Sequence, residues 1–93
     1  MVIERNYIDV MLKMSLAKKL NECACKFNKM DKPFNQYVNL DSIKLANFFK
    51  DVYEKFAKDV PDINIREMTK TTSLSNLAFY IENQLNKGSN VQN

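Results

Sequence analysis

A single glycine and two prolines in 93 residues leave this chain little of the punctuation that tight turns and many short strands require. A chain so poor in turn residues builds long helices joined by few loops. Its apolar fraction of 45% argues for a folded domain over a disordered one. The length fits one domain, which buries roughly 60–65% of the surface its unfolded chain exposes. Such a domain has no room for a large interior cavity with a full catalytic constellation.

Hydrophobic periodicity divides the chain into helices. The first is expected over residues 5–27, with Tyr7, Met11, Met14, Leu20, Ala24 and Phe27 on a stripe that Ile8, Leu12 and Leu16 widen. Asp31-Lys32-Pro33 then breaks the helix, because proline has no amide hydrogen and restricts the residue before it. The stretch 28–40 is a long loop, with Phe34, Tyr37 and Val38 expected to pin it to the core. Loops of this length in compact domains often carry function. A second helix opens at Asp41-Ser42 and runs to residue 58, with Leu45, Phe48, Phe49, Val52 and Phe56 as its apolar stripe. Asp51–Lys55 and Glu54–Lys58 are acid-before-base pairs one turn apart on it. Val60-Pro61-Asp62 ends it, and a short helical turn follows at 63–68. The last helix covers 73–86, capped by Thr71 or Thr72 and striped by Leu74, Leu77, Ala78, Ile81 and Leu85. Lys87-Gly88 is its stop, leaving 1–88 as one domain and 89–93 as a disordered tail. The expected fold is all-α: a small four-helix bundle of three main helices and a short third one, packed around Phe48, Phe49, Phe56, Phe79 and the Leu/Ile set.

Composition excludes several function classes. Histidine is absent, so the usual general base near neutral pH is missing. No glycine-rich phosphate cradle exists, and the carboxylates are scattered. The net charge of +3 is concentrated at the front: residues 1–30 hold six basic groups against three acids, and the remainder balances. That reads as solvated helix surface, with nucleic acid or anionic lipid as the alternative contact. Lys50, Tyr53, Lys55 and Phe56 interleave bases with aromatics, yet those aromatics fit the core stripe better than a nucleic-acid surface. Cys23 and Cys25 are the only cysteines. Two residues apart on an α-helix they would point about 200° from one another, so a disulfide between them needs another backbone. Free thiols suit a reducing, cytoplasmic setting, and the N-terminus shows no long apolar run of a signal or membrane span.

Ser42 is the position with chemical interest. It sits where the long loop meets the second helix, at the end that carries unpaired amides and roughly +0.5 of partial charge. A phosphate esterified there is stabilised without further basic residues. Asp41-Ser42 is also an ordinary capping pair, and alone it is weak evidence.

Its surroundings add to this. The run Asp31-Lys32-Pro33-Phe34-Asn35-Gln36-Tyr37-Val38-Asn39-Leu40-Asp41-Ser42-Ile43 resembles the acyl and peptidyl carrier protein family, in which a loop with Asp and Phe leads to Asp-Ser-Leu or Asp-Ser-Ile at the start of the second helix. The similarity continues through Phe56, Val60-Pro61 and Thr71-Thr72-Ser73-Leu74-Ser75-Asn76-Leu77-Ala78-Phe79-Tyr80-Ile81. It covers residues 5–86, and 31–43 is its specific part.

The resemblance implies that Ser42 carries phosphopantetheine, transferred from coenzyme A by a phosphopantetheinyl transferase, and that acyl- or aminoacyl-loading and condensing enzymes use the chain as a non-catalytic carrier. It implies that Asp41 caps the helix and meets the transferase or its metal. Ile43, following the serine, either packs into the core or meets partners, and Lys44, Asn47, Lys50 and Asp51 are candidate partner contacts. A monomer that binds no nucleic acid and does not insert into a membrane is expected. Two features depart from the family pattern. Asn39 replaces a glycine, although asparagine tolerates positive φ and the turn can survive. Lys44, Lys50, Lys55 and Lys58 offset the acids of the second helix, which fits a freestanding polyketide or nonribosomal-peptide carrier better than a general fatty-acid one. The alternative from another class is a small basic helical module that binds a protein or nucleic acid, for which Ser42 is dispensable.

Overall fold

The computed structural model describes residues 4–90. Among them are four α-helices and no strand: α1 (Arg5–Leu20), α2 (Ser42–Phe56), α3 (Ile65–Met68) and α4 (Leu74–Asn90), with 3-10 turns at Ala24–Phe27 and Phe34–Gln36 between α1 and α2. The expected small all-α bundle is therefore the architecture observed. α1 packs against both α2 and α4.

α1 is shorter than the expected 5–27. It stops at Leu20 because Asn21 takes the left-handed conformation (φ 55°, ψ 47°). The Asn21 amide then donates to Lys18 at 3.3 Å and the Glu22 amide to Ala17 at 2.9 Å. These are the two bonds of a Schellman C-cap, with asparagine in the place glycine usually takes. Lys18 and Lys19 lie in the last turn, where the helix dipole favours cations. The buried face is also rotated from the expected stripe. Ile8, Leu12, Leu16 and Leu20, each four residues on, are buried, whereas Tyr7 and Met14 are half exposed.

The other helices follow their stripes. Phe48, Phe49, Val52 and Phe56 of α2 are buried, as are Leu74, Leu77, Ala78 and Ile81 of α4. Phe79 is not a core residue as expected but 58% exposed. It lies about 140° around the helix from Leu74, off the stripe. α4 runs on through Gly88 to Asn90, so residues 89 and 90 are helical where a tail was expected; 91–93 lie outside the described residues. Its first-turn partner is Ser73, not Thr71 or Thr72: the Ser73 hydroxyl accepts the Asn76 amide at 3.1 Å. Thr71 closes the preceding turn by donating to the Met68 carbonyl at 2.6 Å.

The long loop is fastened at both its middle and its side. Phe34 is buried and meets Phe48 and Phe49 edge-on, with ring centroids 6.0 and 5.7 Å away. Its amide donates to the Thr72 carbonyl at 2.7 Å, and the Ser75 amide to the Met30 carbonyl at 2.8 Å, which ties the loop to the start of α4. Tyr37 is half-buried against Phe27, and Lys32 sits 4.5 Å above its ring. Val38 does not pin the loop as expected; it is 97% exposed. No helix among the described residues is long and apolar enough to cross a membrane.

Candidate functional site

Asp41 leaves the loop in an extended conformation (φ −82°, ψ 176°), and Ser42 is the first residue of α2. The Asp41 carboxylate accepts the Lys44 amide at 2.8 Å, and its carbonyl accepts the Leu45 amide at 2.9 Å. Asp41 is thus the N-cap of α2 in the way its residue type predicts. Among the described residues no group accepts from the amides of Ser42 or Ile43, so both remain open to solvent. The Ser42 side chain is exposed.

The turn before the cap is closed by the Leu40 amide donating to Tyr37 at 3.2 Å. It needs no left-handed residue at Asn39: Asn21 is the non-glycine residue with positive φ among those described. The tolerance expected of Asn39 is therefore not used here; the turn closes around ordinary backbone angles.

Ile43 is 72% exposed, which removes core packing as its role. Together with Val38 it places one apolar side chain on each side of Ser42 in sequence. The periodicity of α2 puts Ile43, Asn47 and Lys50 within a stripe about 60° wide, and all three are exposed, as is Lys44. Asp51 is the exception among the expected contacts. It is half-buried and forms an ion pair with Lys19 of α1 at 2.7 Å, reaching across the bundle and not along its own helix to Lys55. The pair joins α1 to α2 and leaves 39% of the Asp51 side chain exposed.

Val38 is the residue near the site that sequence reasoning misassigned. An isolated valine after Tyr37 carries no periodic signal that tells a pinned loop residue from a displayed one. Tyr37 itself holds its phenol above the ordinary tyrosine range, first through burial and then through the charge of Asp31.

The site contains no catalytic set. Its chemical content is a primary hydroxyl at a helix N-terminus and a carboxylate that orders the first turn. Among the described residues no cluster of three metal-ligating side chains exists. An ester at the Ser42 oxygen fits the geometry, since the hydroxyl projects from an exposed position and two amides beside it lack partners. Three of the six basic groups at the front of the chain have internal acidic partners: Arg5 pairs with Asp9 and Glu82, Lys19 with Asp51 and Lys26 with Glu22. Compared with known proteins, the chain matches no family model, no curated protein and no solved structure.

Proposed function

We propose that this protein is an acyl or peptidyl carrier whose Ser42 hydroxyl is the attachment point for phosphopantetheine. The observation that carries the reading is the exposed serine at the first position of α2, capped by Asp41 and preceded by a fastened loop of carrier-like sequence. When attached, the arm supplies a terminal thiol that holds an acyl or aminoacyl group as a thioester. The chain's own residues do the rest. The unpartnered amides of Ser42 and Ile43 face the phosphoester and stabilise its charge. The Asp41 carboxylate fixes the first turn and offers a negative group to a transferase and its metal. Phe34, packed edge-on against Phe48 and Phe49, fastens the loop that leads to the serine. Ile43, Lys44, Asn47 and Lys50 offer an apolar residue followed by polar and basic ones to the partner enzymes. A freestanding carrier of polyketide or nonribosomal-peptide synthesis, working in the cytoplasm, suits the lysines of this helix.

The test is incubation of the purified chain with coenzyme A and a promiscuous phosphopantetheinyl transferase. The expected result is a mass gain of one phosphopantetheine that Ser42→Ala abolishes. No gain, or a gain that survives Ser42→Ala, refutes the reading. The helical binding module remains the competing class, and the internal pairing of Arg5, Lys19 and Lys26 weakens its basic surface.

A further inference from the structure

The two cysteines lie outside the core, and both are exposed free thiols. On a continued α1 helix they would diverge. The stop at Asn21 changes this, because the chain re-enters as a 3-10 turn over Ala24–Phe27 with Cys23 extended at its start (φ −74°, ψ 136°). The turn folds Cys25 back toward Cys23. The Cys25 amide donates to the Cys23 sulfur at 3.4 Å, and the two Sγ atoms are 2.6 Å apart.

The surroundings divide the labour between the two thiols. The contact with Cys25 Sγ, and then the hydrogen bond from the Cys25 amide, hold the Cys23 thiol below its ordinary range. The same sulfur contact, then desolvation, pushes Cys25 up. Lys26, which follows Cys25, pairs with Glu22 at 3.4 Å on the exposed surface. Lys13, Met14, Val10 and Asn28 line a shallow cleft of about 180 Å³ with Cys25. Lys13 Nζ donates to the neutral Asn28 side chain at 3.4 Å and keeps its charge beside Cys25, which favours an anionic reagent.

We infer that Cys23 and Cys25 form a dithiol–disulfide centre that exchanges with small anionic disulfides of the glutathione type. The Cys23 thiolate, its proton released to solvent, attacks one sulfur of the small disulfide. That S–S bond breaks, and one small thiolate leaves and takes up a proton. Cys25, deprotonated by solvent, then attacks the Cys23 sulfur of the mixed disulfide and expels the second small thiolate, which is protonated in turn. Two protein thiols are oxidised to one disulfide, and one small disulfide is reduced to two thiols. The centre does not depend on the carrier reading, and Ser42→Ala leaves it unchanged.

The experiment treats the folded chain with oxidised glutathione, quenches with acid and reads intact mass over time. The expected wild-type product has lost two hydrogens and carries no lasting adduct. Cys25→Ser accumulates one glutathione on Cys23, and Cys23→Ser acquires its adduct on Cys25 several-fold more slowly. Circular dichroism confirms that both variants keep their helices, as exposed positions allow. Closure in the urea-unfolded chain is several-fold slower, because the turn that gathers the sulfurs is gone. Lasting adducts on the wild type, disulfide-linked dimers, equal rates for the two variants, or equally fast closure in urea would overturn the inference.

Discussion

Replacing Asp41 separates what its carboxylate does for the helix from what it does for a partner. In the folded chain its oxygen accepts the Lys44 amide at 2.8 Å. Alanine leaves that amide to water, and the loss of an N-cap of this kind costs about 1 kcal/mol, within a range of about 0.5–2. The cap is exposed, so water recovers part of the bond and the upper end of the range does not apply. In a domain of this size 1 kcal/mol lowers Tm by roughly 4–8 °C. Asp41→Asn keeps an oxygen acceptor and is expected to hold stability within a few tenths of a kcal/mol, since asparagine caps about as well as aspartate. The assay is urea unfolding followed by far-ultraviolet circular dichroism, with the midpoint shifted and the slope unchanged. Phosphopantetheine loading is measured on the same proteins. Asp41→Asn should load several-fold more slowly at near wild-type stability, because it has lost the charge but not the cap. Asp41→Ala as stable as wild type would mean that the capping bond is not formed in solution. If Asp41→Asn is destabilised as much as Asp41→Ala, the charge and not the hydrogen bond supports the helix.

The remaining predictions concern the frame around the site. Asn21→Ala should destabilise by up to about 1 kcal/mol, since alanine lacks the side-chain amide that lets asparagine tolerate the left-handed region, while Asn21→Gly, with no Cβ, holds or raises the urea midpoint. Phe34→Ala opens a cavity beside Phe48 and Phe49 and should cost about 3–5 kcal/mol in the same urea assay, with Phe34→Leu costing less. Tyr37 has a raised pKa in the folded chain, so its contribution is complete below the unfolded value near about 10 and is lost as pH rises through the folded one. Tyr37→Phe should therefore unfold less readily than wild type as pH climbs through that window, read as the pH dependence of the urea midpoint.

How much of this was visible in the sequence depended on whether a local signal existed. α2 was legible because its stripe is narrow and Asp41-Ser42 marks its start, and the site inherits that clarity. The end of α1 was not, since its stop is an asparagine in the left-handed conformation and the apolar residues Ala24 and Phe27 extend the periodic pattern beyond it. The face of α1 was ambiguous for a related reason: Tyr7–Met11–Met14 and Ile8–Leu12–Leu16 are adjacent columns on one helix, and contact with α2 and α4 on either side decides which is buried. Asp51 pairing with Lys19 joins residues on different helices, which no i,i+4 rule reports. The approach of Cys23 to Cys25 follows from the same unforeseen stop. Ser42's exposure was expected from its capping position, but the display of Ile43 and Val38 was not fixed by any pattern in their neighbours.

The most direct measurement is peptide mapping by tandem mass spectrometry of the chain isolated from the cells that make it. Phosphopantetheine, with or without an attached acid, found on the peptide containing Ser42 is the result predicted here. A full-length chain whose Ser42 peptide is always unmodified, in cells whose other carriers are loaded, would contradict the account.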